Sequence, residues 1–190
     1  MEVWIKKFCA DDDEHEVVCY GIKILLQIVM GMLLAVFIGV VCGCLFQILL
    51  FIIFFVPLRI NAGGLHMESP SKCLLFSGMI FSLIALIARF FSMISVPLNV
   101  LIPVAIMLYV CSPVENRNKE LFPHEKARYK KRVLIIIIIE LLLFLISTCY
   151  EINKLKQAIG LAIIVETVSV LLECFIKICN KGKHCNEKVE

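Results

Sequence analysis

His66 and Cys73 are the residues best equipped for chemistry in this chain. They stand with six residues between them in RINAGGLHMESPSKC, Arg59 to Cys73, a polar stretch that separates two long apolar runs. A thiol becomes a nucleophile once deprotonated, and an imidazole within hydrogen-bond reach is a suitable base. Set together at the edge of an apolar phase, the two are what attack on a peptide carbonyl needs. Taken alone the pair is a weak signal, and an interfacial histidine beside a bystander thiol is the blander reading.

The residues around the pair say how it would be positioned. Ser69 and Pro70 have the types expected of an N-cap and first helical residue, which puts Cys73 in the first turn of the helix that follows. There the helix dipole and the neighbouring Lys72 favour the thiolate. The same turn has backbone N–H groups without intrahelical partners, and these are candidate donors to an oxyanion. Pro70 disfavours helical geometry at Ser69. The adjacent Gly63 and Gly64 permit the chain to fold back, so the imidazole can approach the sulfur.

Composition sets the surroundings. Of 190 residues 61% are hydrophobic, and the mean hydropathy is +0.94, well above a soluble domain, where roughly half the residues are apolar. A bilayer span takes about 20 apolar residues. Six candidate spans lie near residues 24–41, 43–58, 73–88, 92–111, 133–150 and 158–176, predicting an all-α polytopic membrane protein, one integral-membrane domain over 1–190. The first two runs are nearly continuous, and only Gly39, Cys42 and Gly43 mark a turn, so they form either a tight hairpin or one long tilted helix. The first apolar run follows the acidic Asp11, Asp12, Asp13 and Glu14, the wrong start for a cleavable signal, and it is expected to stay in the mature protein. Residues 1–22 mix Trp4, Phe8 and other apolar side chains with Lys6 and Lys7, as a helix lying in the membrane interface does; a solvated tail is the alternative.

Basic residues orient the spans, because Lys and Arg are retained on the cytoplasmic side. With six crossings and a cytoplasmic N-terminus, only Arg89, Lys154 and Lys156 of the 19 Lys and Arg fall outside. Both termini, the 59–72 loop, a basic loop at 112–132 and a polar tail at 180–190 are then expected to be cytoplasmic. The ten cysteines are scattered rather than arranged as a disulfide scaffold, and cytoplasmic thiols stay reduced. Most read as small apolar residues. No C-x-x-C pair occurs, and His184 beside Cys185 lacks the companions of a zinc site, so no metal is expected.

At this point the residues match a family. Arg59, Gly64, His66 and Cys73, written R-x4-G-x-H-x6-C after an apolar hairpin, resemble the AgrB-type endopeptidases of the bacterial accessory gene regulator quorum-sensing system. Ser112-Pro113-Val114-Glu115, followed by Asn118, is similar to that family's (A/S)-P-x-(D/E)-x-x-N segment at the end of the fourth span. The length and six-span plan agree across the whole chain.

The resemblance implies a bacterial cell-membrane enzyme that cuts an AgrD-type precursor peptide near its C-terminus and closes the released part into a cyclic pheromone. By that likeness Cys73 is the nucleophile and His66 its general base. The precursor's acidic tail departs, the peptide is held as a thioester, and an internal thiol or hydroxyl displaces Cys73 to give a thiolactone or lactone. Exchange of one thioester for another is nearly balanced in energy, so no cofactor or ATP is called for if water is excluded. Gly64 fits a position of positive φ or close backbone approach. Arg59 could clamp a substrate carboxylate or anchor its helix to lipid phosphate, with the anchor slightly favoured. Three residues, Glu68, Asn61 and Glu115, are candidates to orient His66, and nothing chooses among them.

Two other features carry alternatives. The basic block, which includes Lys126, Arg128, Lys130, Lys131 and Arg132, is mainly a retention signal that also attracts anionic lipid. Holding the acidic tail of the precursor is its functional reading, whereas nucleic-acid binding has no folded domain to support it. Glu140, Glu166 and Glu173 lie in or near apolar spans, where ionisable groups are costly and often functional. They make a small transporter or exporter with a carboxylate pathway the second hypothesis, although a contact between helices explains them more simply. An inert membrane scaffold is the third. The glycine-containing stretch Gly31 to Gly43 suits self-association into a dimer.

Overall fold

A computed structural model describes residues 12–64, 70–91, 96–114 and 122–186 of the protein. Among these the chain is helical throughout: α1 (Asp12–Val41), α2 (Leu45–Ala62), α3 (Pro70–Phe90), α4 (Leu98–Cys111), α5 (Pro123–Cys149) and α6 (Asn153–Asn186). The all-helical expectation agrees with this. Three stretches are long and apolar enough to cross a membrane: α2 itself, His124–Cys149 of α5 and Asn153–Cys179 of α6. The apolar parts of the other three helices, Val29–Val41, Leu74–Phe90 and Leu98–Cys111, are shorter. Residues 12–22, expected to form part of a separate interfacial segment, run straight on into the first apolar stretch within the 30-residue α1; residues 1–11 of that segment lie outside the described residues.

The choice between a hairpin and one long helix is decided by the backbone at Gly43. This residue has φ 68°, and the amides of Gly43 and Cys44 donate back to Val40 and Gly39 at 3.1 and 2.9 Å. Such paired bonds behind a left-handed residue form a Schellman stop, so α1 ends and α2 returns antiparallel. An equivalent stop links α5 to α6, where Glu151 takes φ 55° and Glu151 and Ile152 donate to Thr148 and Ser147 at 3.4 and 2.8 Å. Glu151 is a poor residue for this backbone. Glu151→Gly should relieve the left-handed penalty, raising stability by about 0.5–1 kcal/mol; a rise in the thermal unfolding midpoint of the detergent-solubilised protein checks it, and a fall would show that the side chain, not the backbone, matters there.

Residues 123–132, expected to be loop, are the opening of α5. Pro123 occupies the first helical position, and the Glu125 carboxylate accepts from the Phe122 N–H at 3.3 Å. This is half of a capping box; Phe122 has no side-chain acceptor with which to complete it. The isoleucine run Ile135–Ile139 continues the helix despite its β-branched residues. In a bilayer the backbone must satisfy its own hydrogen bonds, and a helix does so within one segment.

α2 and α6 are central. One core cluster joins Leu58 and Ala62 of α2 to Leu101 and Leu108 of α4, Val133 and Phe144 of α5, and Ile159 and Ile163 of α6. The other joins Ile48 and Phe51 of α2 to Ala35 of α1, Phe81 and Ile84 of α3, and Ala162 of α6. Phe51 stacks on Phe55 at 5.0 Å and meets Phe81 edge-on at 6.2 Å. Gly39 is occupied inside the chain, where a side chain would press on Leu45 and Ile48, whereas Gly31 faces open space.

Candidate active site

The fold brings the last turn of α2, the segment after α4 and the middle of α6 to one place. Arg59 lies in the last turn of α2, and its guanidinium turns into the protein instead of out toward lipid phosphate. Nη1 donates to the Gly63 carbonyl at 3.1 Å and to the Ser169 hydroxyl at 2.5 Å. Those two bonds use both hydrogens on that nitrogen. Glu166, fully buried on α6, therefore meets the same nitrogen at 3.9 Å as an ion pair without a hydrogen bond. At that separation and an effective dielectric of 20 the attraction is about 4 kcal/mol before desolvation is subtracted. Glu140 of α5 is also buried and lies within electrostatic reach of Glu166. The slightly favoured anchor role for Arg59 gives way to an internal one because a cationic group in an apolar helix end finds a carboxylate, Glu166, on α6.

Gly64 follows from the same cluster. It has φ 125°, and a Cβ built there would overlap Arg59 Nη1 and stand 2.7 Å from Ser169 Oγ. Gly63, at φ 82°, would press a Cβ to 2.6 Å from the Val114 carbonyl. Val114 in turn donates its amide to the Ala62 carbonyl at 2.9 Å, just beyond the cis Ser112–Pro113 peptide. The two sequence segments singled out for their spacing, 59–64 and 112–114, are thus bonded to one another.

From this anchored point the chain enters 65–69, and α3 then begins at Pro70. Cys73 is the fourth residue of that helix, as the Ser-Pro start predicts, and Lys72 precedes it in the same turn; for both, the backbone position is what is described. His66, Glu68 and Glu115 lie outside the described residues. Asn61, the remaining candidate to orient His66, donates its side-chain amide to the Pro57 carbonyl at 2.8 Å, which leaves its side-chain oxygen as the atom with which it could accept from an imidazole. The basic residues Lys126, Arg128, Lys131 and Arg132 are exposed on the first turns of α5. Lys130, half-buried, lies over the Tyr109 ring at 5.0 Å and so ties α5 to the end of α4.

The family model for accessory gene regulator B matches residues 3–176. The chain belongs to the AgrB family. No curated protein and no solved structure matches it. AgrB membership links the protein to the accessory gene regulator system and, in general terms, to processing of the AgrD precursor at a membrane. The matched region contains both segments that meet at Ala62 and Val114.

Sequence reasoning missed the partners of Arg59. A signal was available: a cation in the last turn of one apolar helix and carboxylates inside others each need a counter-charge. What the sequence lacked was the pairing, because Ser169 stands 110 residues from Arg59. The cysteines whose side chains are described, Cys42, Cys44, Cys111, Cys149, Cys174 and Cys179, are free thiols.

Proposed function

We propose that the protein is a membrane cysteine endopeptidase that cleaves an AgrD-type precursor and closes the released peptide into a cyclic pheromone. The observation that carries this reading is Cys73 in the opening turn of a helix, with six residues between it and His66, within a chain of the AgrB family. His66 takes the thiol proton, and the Cys73 sulfur attacks the carbonyl carbon at the cleavage site. Backbone N–H groups of the first turn of α3 have no intrahelical acceptors, and the oxyanion that forms is within their chemistry. Collapse breaks the C–N bond; the tail amine leaves with the proton held by His66, and a thioester on Cys73 remains. An internal thiol or hydroxyl of the peptide then attacks that carbonyl, giving its proton through His66 to the departing Cys73 sulfur. The ring closes and the enzyme thiol is restored.

With six crossings, both termini and the stretch between α2 and α3 lie on the cytoplasmic face, where a ribosomal precursor arrives. The exposed basic turns of α5 suit the acidic tail of such a precursor. The buried carboxylates are read as contacts between helices, since Glu166 already faces Arg59 at 3.9 Å.

Purified protein in vesicles, supplied with precursor on the face that carries the termini, should release the tail peptide and a product lighter than the linear fragment by one water. An ionophore should not alter the rate. Cleavage that stops when the ion gradient is collapsed would replace this reading with a transport-coupled one.

A further inference from the structure

Glu166 takes no part in the acyl transfer proposed above, yet its placement is demanding. It is fully buried in an apolar stretch of α6, with neither carboxylate oxygen hydrogen-bonded among the described residues. What it faces is Arg59, at 3.9 Å. An uncompensated carboxylate in an apolar interior is costly, and a cation beside it offsets part of that cost. The attraction therefore fixes the guanidinium. The guanidinium in turn holds the Gly63 carbonyl and the Ser169 hydroxyl and leaves no room for a side chain at Gly64. Gly64 is two residues before His66.

We infer that Glu166, acting through Arg59, is a positioning residue for His66 and Cys73, α6 setting the point and direction from which the chain leaves α2 toward them. This rests on the reading of His66 and Cys73 as base and nucleophile. Ser169, one helical turn beyond Glu166, is the second α6 contact of the same clamp. The Val114 amide on the Ala62 carbonyl is a further contact at the same end of α2. A carboxylate that only packed α6 against α2 would affect stability alone. One that positions His66 and Cys73 also controls the distance between base and thiol, and an error of about 1 Å in such a distance can cost 10²-fold in rate.

The test uses full-length protein in vesicles and two readouts. One is precursor cleavage, resolved into kcat and KM. The other, which needs no precursor, is the rate of alkylation of Cys73 by iodoacetamide across pH, followed on the Cys73 peptide by mass spectrometry. Glu166→Gln keeps the shape and removes the charge; it should lower kcat by about 10-fold or more with KM within about twofold, and shift the Cys73 alkylation profile. Glu166→Asp should recover part of the loss, and Glu140→Gln should leave both readouts near wild type. Arg59→Gln with Glu166→Gln should be no worse than Arg59→Gln alone, since both act through one guanidinium.

Wild-type kcat and an unmoved alkylation profile in a folded Glu166→Gln protein would overturn the inference, as would losses that simply multiply in the double variant. Should Glu166→Gln fail to fold, Ser169→Ala removes one arm of the clamp while keeping the charges. A lowered kcat with altered Cys73 alkylation in that variant supports the clamp, and wild-type behaviour in both rejects it. Cys73→Ala run alongside separates the two readings: if it still cleaves, the peptidase reading fails, whereas the alkylation rates continue to report on the clamp.

Discussion

Cys73→Ala and Cys73→Ser should abolish precursor cleavage, a loss of at least about 10³-fold, as expected when a covalent nucleophile is removed. The serine variant is the sharper of the two. A hydroxyl fits wherever a thiol does, but it ionises far less readily near neutral pH, so a helix start that favours a thiolate does little for it. His66→Ala should lower cleavage by about 10²–10⁴-fold, the range that a positioned acid–base group supplies. Membrane levels of all three should match wild type, so that the loss measures chemistry and not the amount of protein. Replacing Cys42, Cys111 or Cys174 by alanine should leave cleavage within a few-fold of wild type. Substantial cleavage by the Cys73→Ala protein would end the peptidase reading, since another thiol or no thiol would then be doing the chemistry.

The parts of this fold that were legible in the sequence are those written in local chemistry. The turn between α1 and α2 rests on Gly43, whose lack of a side chain permits the left-handed stop. The start of α3 rests on Pro70, which suits a first helical position and no later one. Both signals lie within a few residues of the feature they specify. The opening of α5 departs from the expected loop for the opposite reason: charge density does not separate loop from helix, Lys, Arg, Ala and Glu are strong helix formers, and Pro123 with Glu125 supplies a start. Span length was overestimated in α4, where Pro97 and the Ser112–Pro113 pair bound a helix of 14 residues.

The candidate site divides along the same line. Its proposed chemical residues stand out in the sequence because His, Cys, Arg and Gly have family-like spacing within fifteen residues. Its surroundings do not, since the cluster at the end of α2 is assembled from three distant parts of the chain: Arg59 and Gly64, Glu166 and Ser169, and the segment ending at Val114. Spacing carries no information about such pairings. The glutamates could be flagged as costly in an apolar span, but a flag for cost does not name the partner that offsets it. Transport and helix contact are therefore both open readings of these carboxylates in the sequence; the structure adds that one of them, Glu166, faces Arg59 at 3.9 Å.

Gly64→Ala should be far more damaging to cleavage than Gly43→Ala. Gly43 and Gly64 both have positive φ, so alanine is strained at either, by about 1–3 kcal/mol. Their surroundings differ. At Gly43 the nearest atom to an added Cβ is Arg89 Nη1 at 3.4 Å, the end of a flexible side chain that can move aside. At Gly64 the added carbon overlaps Arg59 Nη1, and that nitrogen is held by the Gly63 carbonyl, Ser169 and Glu166. The methyl must either push the guanidinium off its partners or move the backbone two residues before His66. Both routes misplace the base. Gly43→Ala is accordingly expected to lower the unfolding midpoint while leaving kcat near wild type, and Gly64→Ala to lower kcat by roughly 10²-fold. If the obstacle is the guanidinium, Gly64→Ala should add little further loss in an Arg59→Ala background, where that side chain is absent. Equal effects of the two glycine substitutions on kcat, or full additivity with Arg59→Ala, would show that backbone strain alone, and not the arginine clamp, makes this position intolerant.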